Sequence, residues 1–216
     1  MKKIIALDTE GAGPRLGFHP TLSIGAAVVL RETMNFEQRQ KEGLVFYTEL
    51  KPSSLEYYEP GMRVGALHLE CIEELRKKNE CFDPNHNAFD SRKVLLHMQE
   101  VCEEPAHAYA RFIRWIDEVS ENQEVIGLTD TVFFDGGHVH LGFGLNHSEM
   151  SPFGWKGLDL NSVYKGFMVN PHARFSRLGP EFPCAKEHKA DHDAVDLAGF
   201  AKKVLYDQMH WHHFEK

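Results

Sequence analysis

Apolar and polar positions recur along this chain with periods that can be read off as secondary structure. Residues 3–10, "KIIALDTE", open with a four-residue apolar run typical of a buried strand, and "TLSIGAAVVL" (21–30) is a second. "GLVFYTELKP" (43–52) alternates as a third strand should. The polar stretch "RETMNFEQRQKEG" between them is turn-like, so the three are expected to form a meander. Leu67, Cys71, Ile72 and Leu75 recur at helical spacing and predict a helix over 64–79, closed by a basic end. Residues 80–104 carry loop signals and then a short amphipathic stretch, and read as an insertion over the core. A helix over 106–122 turns Tyr109, Phe112, Ile113 and Ile116 to one side. A strand at 124–130 follows, then a glycine-interrupted helix at 131–146 and a strand or strand–helix turn at 157–168. Residues 169–187 form a Pro/Gly/Arg-rich loop, and a last helix spans about 189–209. No repeat, low-complexity tract or linker interrupts this order. It predicts a single α/β domain over 1–216, a mixed sheet covered by helices.

Length and composition agree with that picture. The chain has 216 residues, 42% of them hydrophobic and 26% charged, enough for a sizeable core. The longest apolar run, "IGAAVVL", is too short to span a membrane, and the N-terminal apolar stretch stops at Asp8, too short for a signal peptide. Cys71, Cys81, Cys102 and Cys184 show no paired spacing, which points to reduced thiols and a cytoplasmic protein. The net charge of −8 argues against gripping long nucleic acids through the overall field, though a few nucleotides can still be held locally. Of fourteen histidines, several crowd into the C-terminal "MHWHHFEK", where solvent exposure is the plain expectation.

Four acids stand where acids are costly. Asp8 and Glu10 share one face at the end of the first strand, with Thr9 turned to the other. On a helical wheel of about 100° per residue, Ala190, Ala194, Leu197, Ala198, Phe200, Ala201, Val204 and Leu205 make an apolar stripe. Asp193 falls inside it, between Phe200 and Val204. A helix-capping or macrodipole role would also account for Asp193. Asp135 follows two phenylalanines, where a helix N-cap is the simple alternative. Taken together, Asp8, Glu10, Asp135 and Asp193 are hard oxygen donors at the ends of elements packed on one sheet, suited to Mg²⁺ or Mn²⁺ rather than zinc. Two such ions about 3.5–4 Å apart are the usual clamp for displacement at phosphorus. A metal pair between them would let the adjacent carboxylates tolerate each other.

Three motifs in order resemble the DEDDh-type 3′→5′ exonucleases of the ribonuclease H-like superfamily, over residues 4 to about 205. They are the strand ending Asp8-Thr9-Glu10, the pair Phe134-Asp135, and "HKADHDAVDLA" from His188 to Ala198. The resemblance implies a ribonuclease H-like fold, with a mixed five-stranded sheet flanked by helices. It implies a phosphodiester hydrolase that removes nucleotides from the 3′ end of DNA or RNA, single strands preferred, with two ions of Mg²⁺ or Mn²⁺. Asp8, Glu10, Asp135 and Asp193 would hold the ions, with Asp8 bridging both. His188 would act as general base, with His192 a rival whose spacing to Asp193 fits less well. This chain departs from the family pattern in having Asp130 and Thr131 where many members have His-Asn, and Gly11 where many have Thr. Contact to the terminal nucleotide would then fall to the backbone of Gly11 and Ala12, with Leu16, Phe18 and Phe133 for stacking. Arg174, Arg177, Lys186 and Lys189 would lie near the phosphates.

Two other readings stay open on sequence alone. One is a catalytically silent ribonuclease H-like module that binds nucleic acid or a protein partner, against which the retained acids and histidine argue. The other is a zinc-stabilised interaction domain built from Cys81, His86, His97, Cys102 and His107, whose spacing is irregular. The sequence sets neither the choice between DNA and RNA nor an oligomeric state.

Overall fold

Strand β1 (Lys3–Gly11) is the middle strand of the sheet, because its apolar run is flanked on both edges by partners. The computed structural model describes residues 2–121, 123–146, 151–154, 157–179 and 186–211. Strands β2 (Thr21–Val28) and β3 (Val45–Glu49) continue antiparallel from β1 on one side, as the expected meander. Strands β4 (Val125–Thr129) and β5 (Gly157–Asp159) add in parallel on the other, giving the order β3-β2-β1-β4-β5. The fold is therefore the mixed five-stranded sheet flanked by helices that the motifs imply.

The helices are α1 (Phe36–Lys41), α2 (Glu59–Gly65), α3 (Glu73–Arg76), α4 (Ser91–Val101), α5 (Pro105–Ser120), α6 (Gly137–Asn146), α7 (Leu160–Phe167) and α8 (Ala190–Ala201). Successive side chains of β1 alternate between two layers. Ile4 and Ala6 pack with Leu160 of α7 and with Ala194, Leu197, Ala198 and Ala201 of α8. Ile5 and Leu7 pack with Phe112, Trp115 and Ile116 of α5 and with Val139 and Phe143 of α6. A third apolar cluster closes the end of the sheet, where Leu22 meets Met62, Leu69, Ile72, Val94, Leu95 and Met98. Residues 80–104, expected as an insertion, thus supply α4 to a small core that they share with Leu22, Met62, Leu69 and Ile72. None of the helices is long and apolar enough to cross a membrane, among the described residues.

Two expectations need correction. The helix over 64–79 is not continuous. The chain enters α2 earlier, at Glu59-Pro60, and leaves it at Gly65, whose α-carbon lies so close to the Gly11 carbonyl that a methyl there would come within 2.6 Å. It then restarts as a short 3₁₀ turn at Glu70–Ile72 and as α3, because the Glu49 carboxylate accepts the N–H groups of Glu70 and Cys71 and fixes a new N-terminus there. The polar stretch after β2 is not all turn. Asn35 and Gln38 form a reciprocal capping box that starts α1, and buried Arg39 donates to the Val28 carbonyl at 2.6 Å. The last helix, expected over 189–209, covers α8 and then widens into a π-helical turn at Lys202–Gln208.

One glycine decides how closely α8 approaches the sheet. Gly25 pairs with Asp8, and a methyl group on it would lie 2.0 Å from the Ala190 carbonyl carbon and 2.3 Å from the Asp191 nitrogen. Backbone cannot yield as a side-chain tip can, so Gly25→Ala must push the start of α8 off β2. We expect a loss of about 1–3 kcal/mol or more in stability. Urea titration measures it, and a loss below about 0.5 kcal/mol would mean that α8 is not held by this contact.

Candidate active site

Asp8 and Glu10 project from β1 on the face of Ile4 and Ala6, the face that α8 covers. Thr9 points to the other layer, where it meets Asp135. Its N–H and its hydroxyl both donate to Asp135 Oδ1, at 3.2 and 3.0 Å. Asp135 is buried in a π-helical turn, Val132–Gly136, whose N-cap is Thr131, so its carboxylate is not spent on capping. Such wide turns recur at functional positions because they re-aim one side chain without ending the helix. Asp193 sits in the first turn of α8, and its Oδ2 accepts the N–H of His188 at 2.8 Å. That bond ties Asp193 to the turn before the helix, and among the described residues no side chain caps the start of α8. The bond leaves Oδ1 unspent, and Glu10, His188 and Asp193 each offer a ligand atom within 4.8 Å of the other two.

His188 is exposed and adopts a left-handed backbone, φ +64°, rare for a residue with a side chain. Neighbours on both sides hold this turn. Asp193 takes the His188 amide, and the next residue, Lys189, is buried, its Nζ 2.7 Å from Glu70 Oε1, 3.3 Å from Asp191 Oδ2 and over the Tyr47 ring. Lys189 therefore anchors the turn and is not a free cation for phosphates, as had been expected. His192, the rival base, is buried and stacked on Phe36 with ring centroids 4.1 Å apart.

Electrostatics mark the acidic cluster. Burial, then the charges of Asp135, Glu10, Asp193 and Asp130, push the Asp8 carboxyl well above its usual range. Burial, with Asp193 and Asp135, raises Glu10 to about 8. Asp135 rises to about 6 through burial, held back by its two bonds from Thr9. Asp193 rises to about 6 through burial, held back by the His188 amide. The four carboxylates present hard oxygens with excess negative charge, a donor set that fits divalent ions such as Mg²⁺ or Mn²⁺.

These shifts give a pH dependence with a definite sign. A carboxyl whose folded pKa is raised favours the folded state most below its unfolded pKa, near 4, and the benefit is lost as pH rises through the folded value. In chelator, the midpoint of thermal unfolding should therefore fall between about pH 4 and pH 8. A divalent ion should raise it most at pH 8. The Glu10→Gln protein isolates the effect from other titrations, since its melting temperature should fall less over that range. An equal fall in both proteins would show that the cluster does not titrate as described.

The remaining expected contacts divide into two groups. Leu16, Phe18 and Phe133 are exposed, Phe133 at 88%, with Leu16 lying over Gly137 at the start of α6. Arg174 and Arg177 line a cleft of about 520 Å³ with Lys165, His172 and Asn161, and Asp130 joins this cleft to the field at Asp8. Gly11 and Ala12, by contrast, are both buried. Ala12 N–H donates to the Pro20 carbonyl at 2.9 Å, and its own carbonyl accepts from Tyr58 at 2.8 Å. The Gly11 carbonyl is covered by Gly65, and a methyl on Gly11 would meet Phe134 at 3.4 Å and His138 Nε2 at 3.6 Å. Both backbone groups of Ala12 are thus taken up within the fold, and the Gly11 carbonyl is crowded by Gly65. Cys81, His86, His97, Cys102 and His107 do not assemble into one cluster among the described residues. Cys184 and residues 212–216 of the His-rich terminus lie outside the described residues.

Some residues here went unnoticed in the sequence. Thr9 was legible only as the outward residue between two acids. Asp130 was visible as a departure from a motif but not as a group acting on Asp8. Asp191 looked like an ordinary polar residue at a helix start, and Lys189 was read as a phosphate contact rather than as the buried partner of Glu70 and Asp191.

No family model matches the chain. The 3′–5′ DNA exonuclease Cap18 of Escherichia coli is 27% identical over 206 residues, covering 93% of this chain and 88% of that protein. The nuclease domain of 3′hExo, a DEDDh family member bound to rAMP, superposes with a TM-score of 0.64 at 13% identity, over 96% of this chain and 93% of that one. Cell-death related nuclease 4 gives 0.65 at 9% identity, over 96% and 65%. Escherichia coli Exonuclease I in complex with a dT13 oligonucleotide gives 0.61 at 12% identity, over 99% and 43%.

Proposed function

We propose that this chain, which has the ribonuclease H-like fold of the DEDDh exonucleases, is a metal-dependent 3′→5′ exonuclease acting on single-stranded DNA or RNA ends. The observation that carries this reading is the convergence of Glu10, His188 and Asp193 within 4.8 Å of one another, with Asp8 and Asp135 near enough for charge repulsion to raise the carboxyls of this group. Two divalent ions held by the four carboxylates would supply Lewis acidity and a water made nucleophilic at neutral pH. His188, exposed beside Glu10 and Asp193, would take the proton from that water. Thr9 fixes Asp135 through two hydrogen bonds, so the carboxylate need not reorganise when substrate arrives. Leu16, Phe18 and Phe133 give an unpaired terminal base an apolar surface to stack on, and Arg174 and Arg177 face the phosphates behind it. The Escherichia coli relative is a 3′–5′ DNA exonuclease, which makes DNA the first substrate to try.

The test uses end-labelled single-stranded DNA and RNA with Mg²⁺ or Mn²⁺, beside a 3′-blocked strand, a closed circle and a blunt duplex. We expect mononucleotide release from free 3′ ends, faster on single strands than on the blunt duplex. Cleavage of the circle, or digestion past a blocked 3′ end, would rule the assignment out.

A further inference from the structure

Outside the acidic cluster, one group of side chains carries ligand chemistry that the nuclease reading does not use. Glu49 ends β3, Cys71 lies in the 3₁₀ turn at Glu70–Ile72, and Cys102 caps the C-terminus of α4. A carboxylate oxygen and both thiol sulfurs fall within 4.8 Å of one another, although the three residues come from separate parts of the chain. All three are half-buried, and neither cysteine is in a disulfide. We propose that Glu49, Cys71 and Cys102 form a second metal site, for a thiophilic divalent ion of the Zn²⁺ type, distinct from the four-carboxylate site.

Three arguments support it. Two thiolates and one carboxylate form a donor set preferred by Zn²⁺ and poorly suited to Mg²⁺. The spacing needs only a small contraction to bring sulfurs and oxygen around one ion, with metal–sulfur bonds near ~2.3 Å and metal–oxygen bonds near ~2.0–2.2 Å. The carboxylate is also pre-oriented. Oε1 accepts the Tyr47 hydroxyl at 2.6 Å and the Glu70 N–H, while Oε2 accepts the Cys71 N–H at 3.0 Å, and the Cys71 thiol hydrogen-bonds both this carboxylate and Cys102. Hydrogen bonds of this kind hold ligating carboxylates in place in metal sites generally. With three protein ligands at a half-exposed position, the fourth place falls to water. On binding, each thiol loses one proton to solvent, and two metal–sulfur bonds and one metal–oxygen bond form.

The site would tie the end of the β3 edge strand to the third apolar cluster, which Ile72 and Met98 join. It also borders Glu70, the partner of Lys189, and so lies one residue from the turn that carries His188.

Cobalt distinguishes this site from the others. Co²⁺ bound by sulfur shows an intense near-ultraviolet charge-transfer band, which carboxylate or histidine ligands do not produce. The reduced full-length protein, kept in a phosphine reductant, is titrated with Co²⁺ and then with Zn²⁺. We expect the band to saturate at one equivalent per chain and to be abolished by Zn²⁺. It should be absent in Cys71→Ser and in Cys102→Ser, and retained in Asp8→Asn. Circular dichroism verifies that the serine variants are folded, and Glu49→Gln, which leaves both thiols in place, should shift the band and weaken binding. The proposal is overturned if the reduced wild-type protein shows no sulfur band, or if the band survives in both serine variants. Neither result bears on nuclease activity, because the readout does not involve it.

Discussion

Asp8→Asn and Asp193→Asn proteins should fold and yet lose at least about 10³-fold in nuclease rate, since bound divalent ions supply several kcal/mol of transition-state stabilisation. The same substitutions remove like charge from a crowded site. Asp8 feels Asp135, Glu10, Asp193 and Asp130 at once, so neutralising it relieves repulsion that the metal-free protein otherwise carries at neutral pH. In chelator, Asp8→Asn should therefore unfold at a higher temperature than wild type at pH 8, while in Mg²⁺ or Mn²⁺ the order should narrow or reverse. Gain of stability with loss of rate is the signature of a group kept for chemistry. Rate assays paired with calorimetry read both halves. Appreciable turnover in either variant, or wild-type turnover in excess chelator, would end the metal-dependent reading.

The second large effect separates the two histidines. His188→Ala should lose about 10²–10⁴-fold in rate, the usual worth of a general base, with little change in thermal stability because the ring is exposed. His192→Ala should do the reverse. Its ring is buried against Phe36, so truncation leaves a gap between α8 and the start of α1, and the loss appears in unfolding rather than in single-turnover rate. A near-normal rate for His188→Ala with a collapsed rate for folded His192→Ala would reverse the assignment.

How much of this was legible in the chain varies with how local the cause is. β1 and β2 were readable because an apolar run or an alternating pattern depends on the residues within it, and three motifs in order carried the fold. The acids were readable for the same reason, since each breaks a local apolar pattern. The helix expected over 64–79 was not, because what breaks it is Glu49, a partner in another strand that caps the turn at Glu70. The helix α1 escaped because its stability comes from the Asn35–Gln38 capping box and from Arg39 buried against Val28, and polar composition hides both. The environment of Gly11 and Ala12 was hidden for a related reason. Whether a backbone group is free depends on which neighbour reaches it, here Gly65, Pro20 and Tyr58. Lys189 shows the same limit, since only the fold places Glu70 and Asp191 beside it.

The acids that define the site lie near opposite ends of the chain, with Asp8 in the first strand and Asp193 in the last helix. During synthesis at about 5–20 residues per second, some 10–40 s separate the appearance of the first acid from that of the last. For the first two thirds or so of that interval β1 also lacks β4, its parallel neighbour, and the turn that bears His188 follows only just before Asp193. A nascent chain still on the ribosome, surrounded by RNA with free ends, would thus hold half a metal site and no base. On the proposed reading, nuclease chemistry would wait until α8 has been translated, by the order of the acids along the chain.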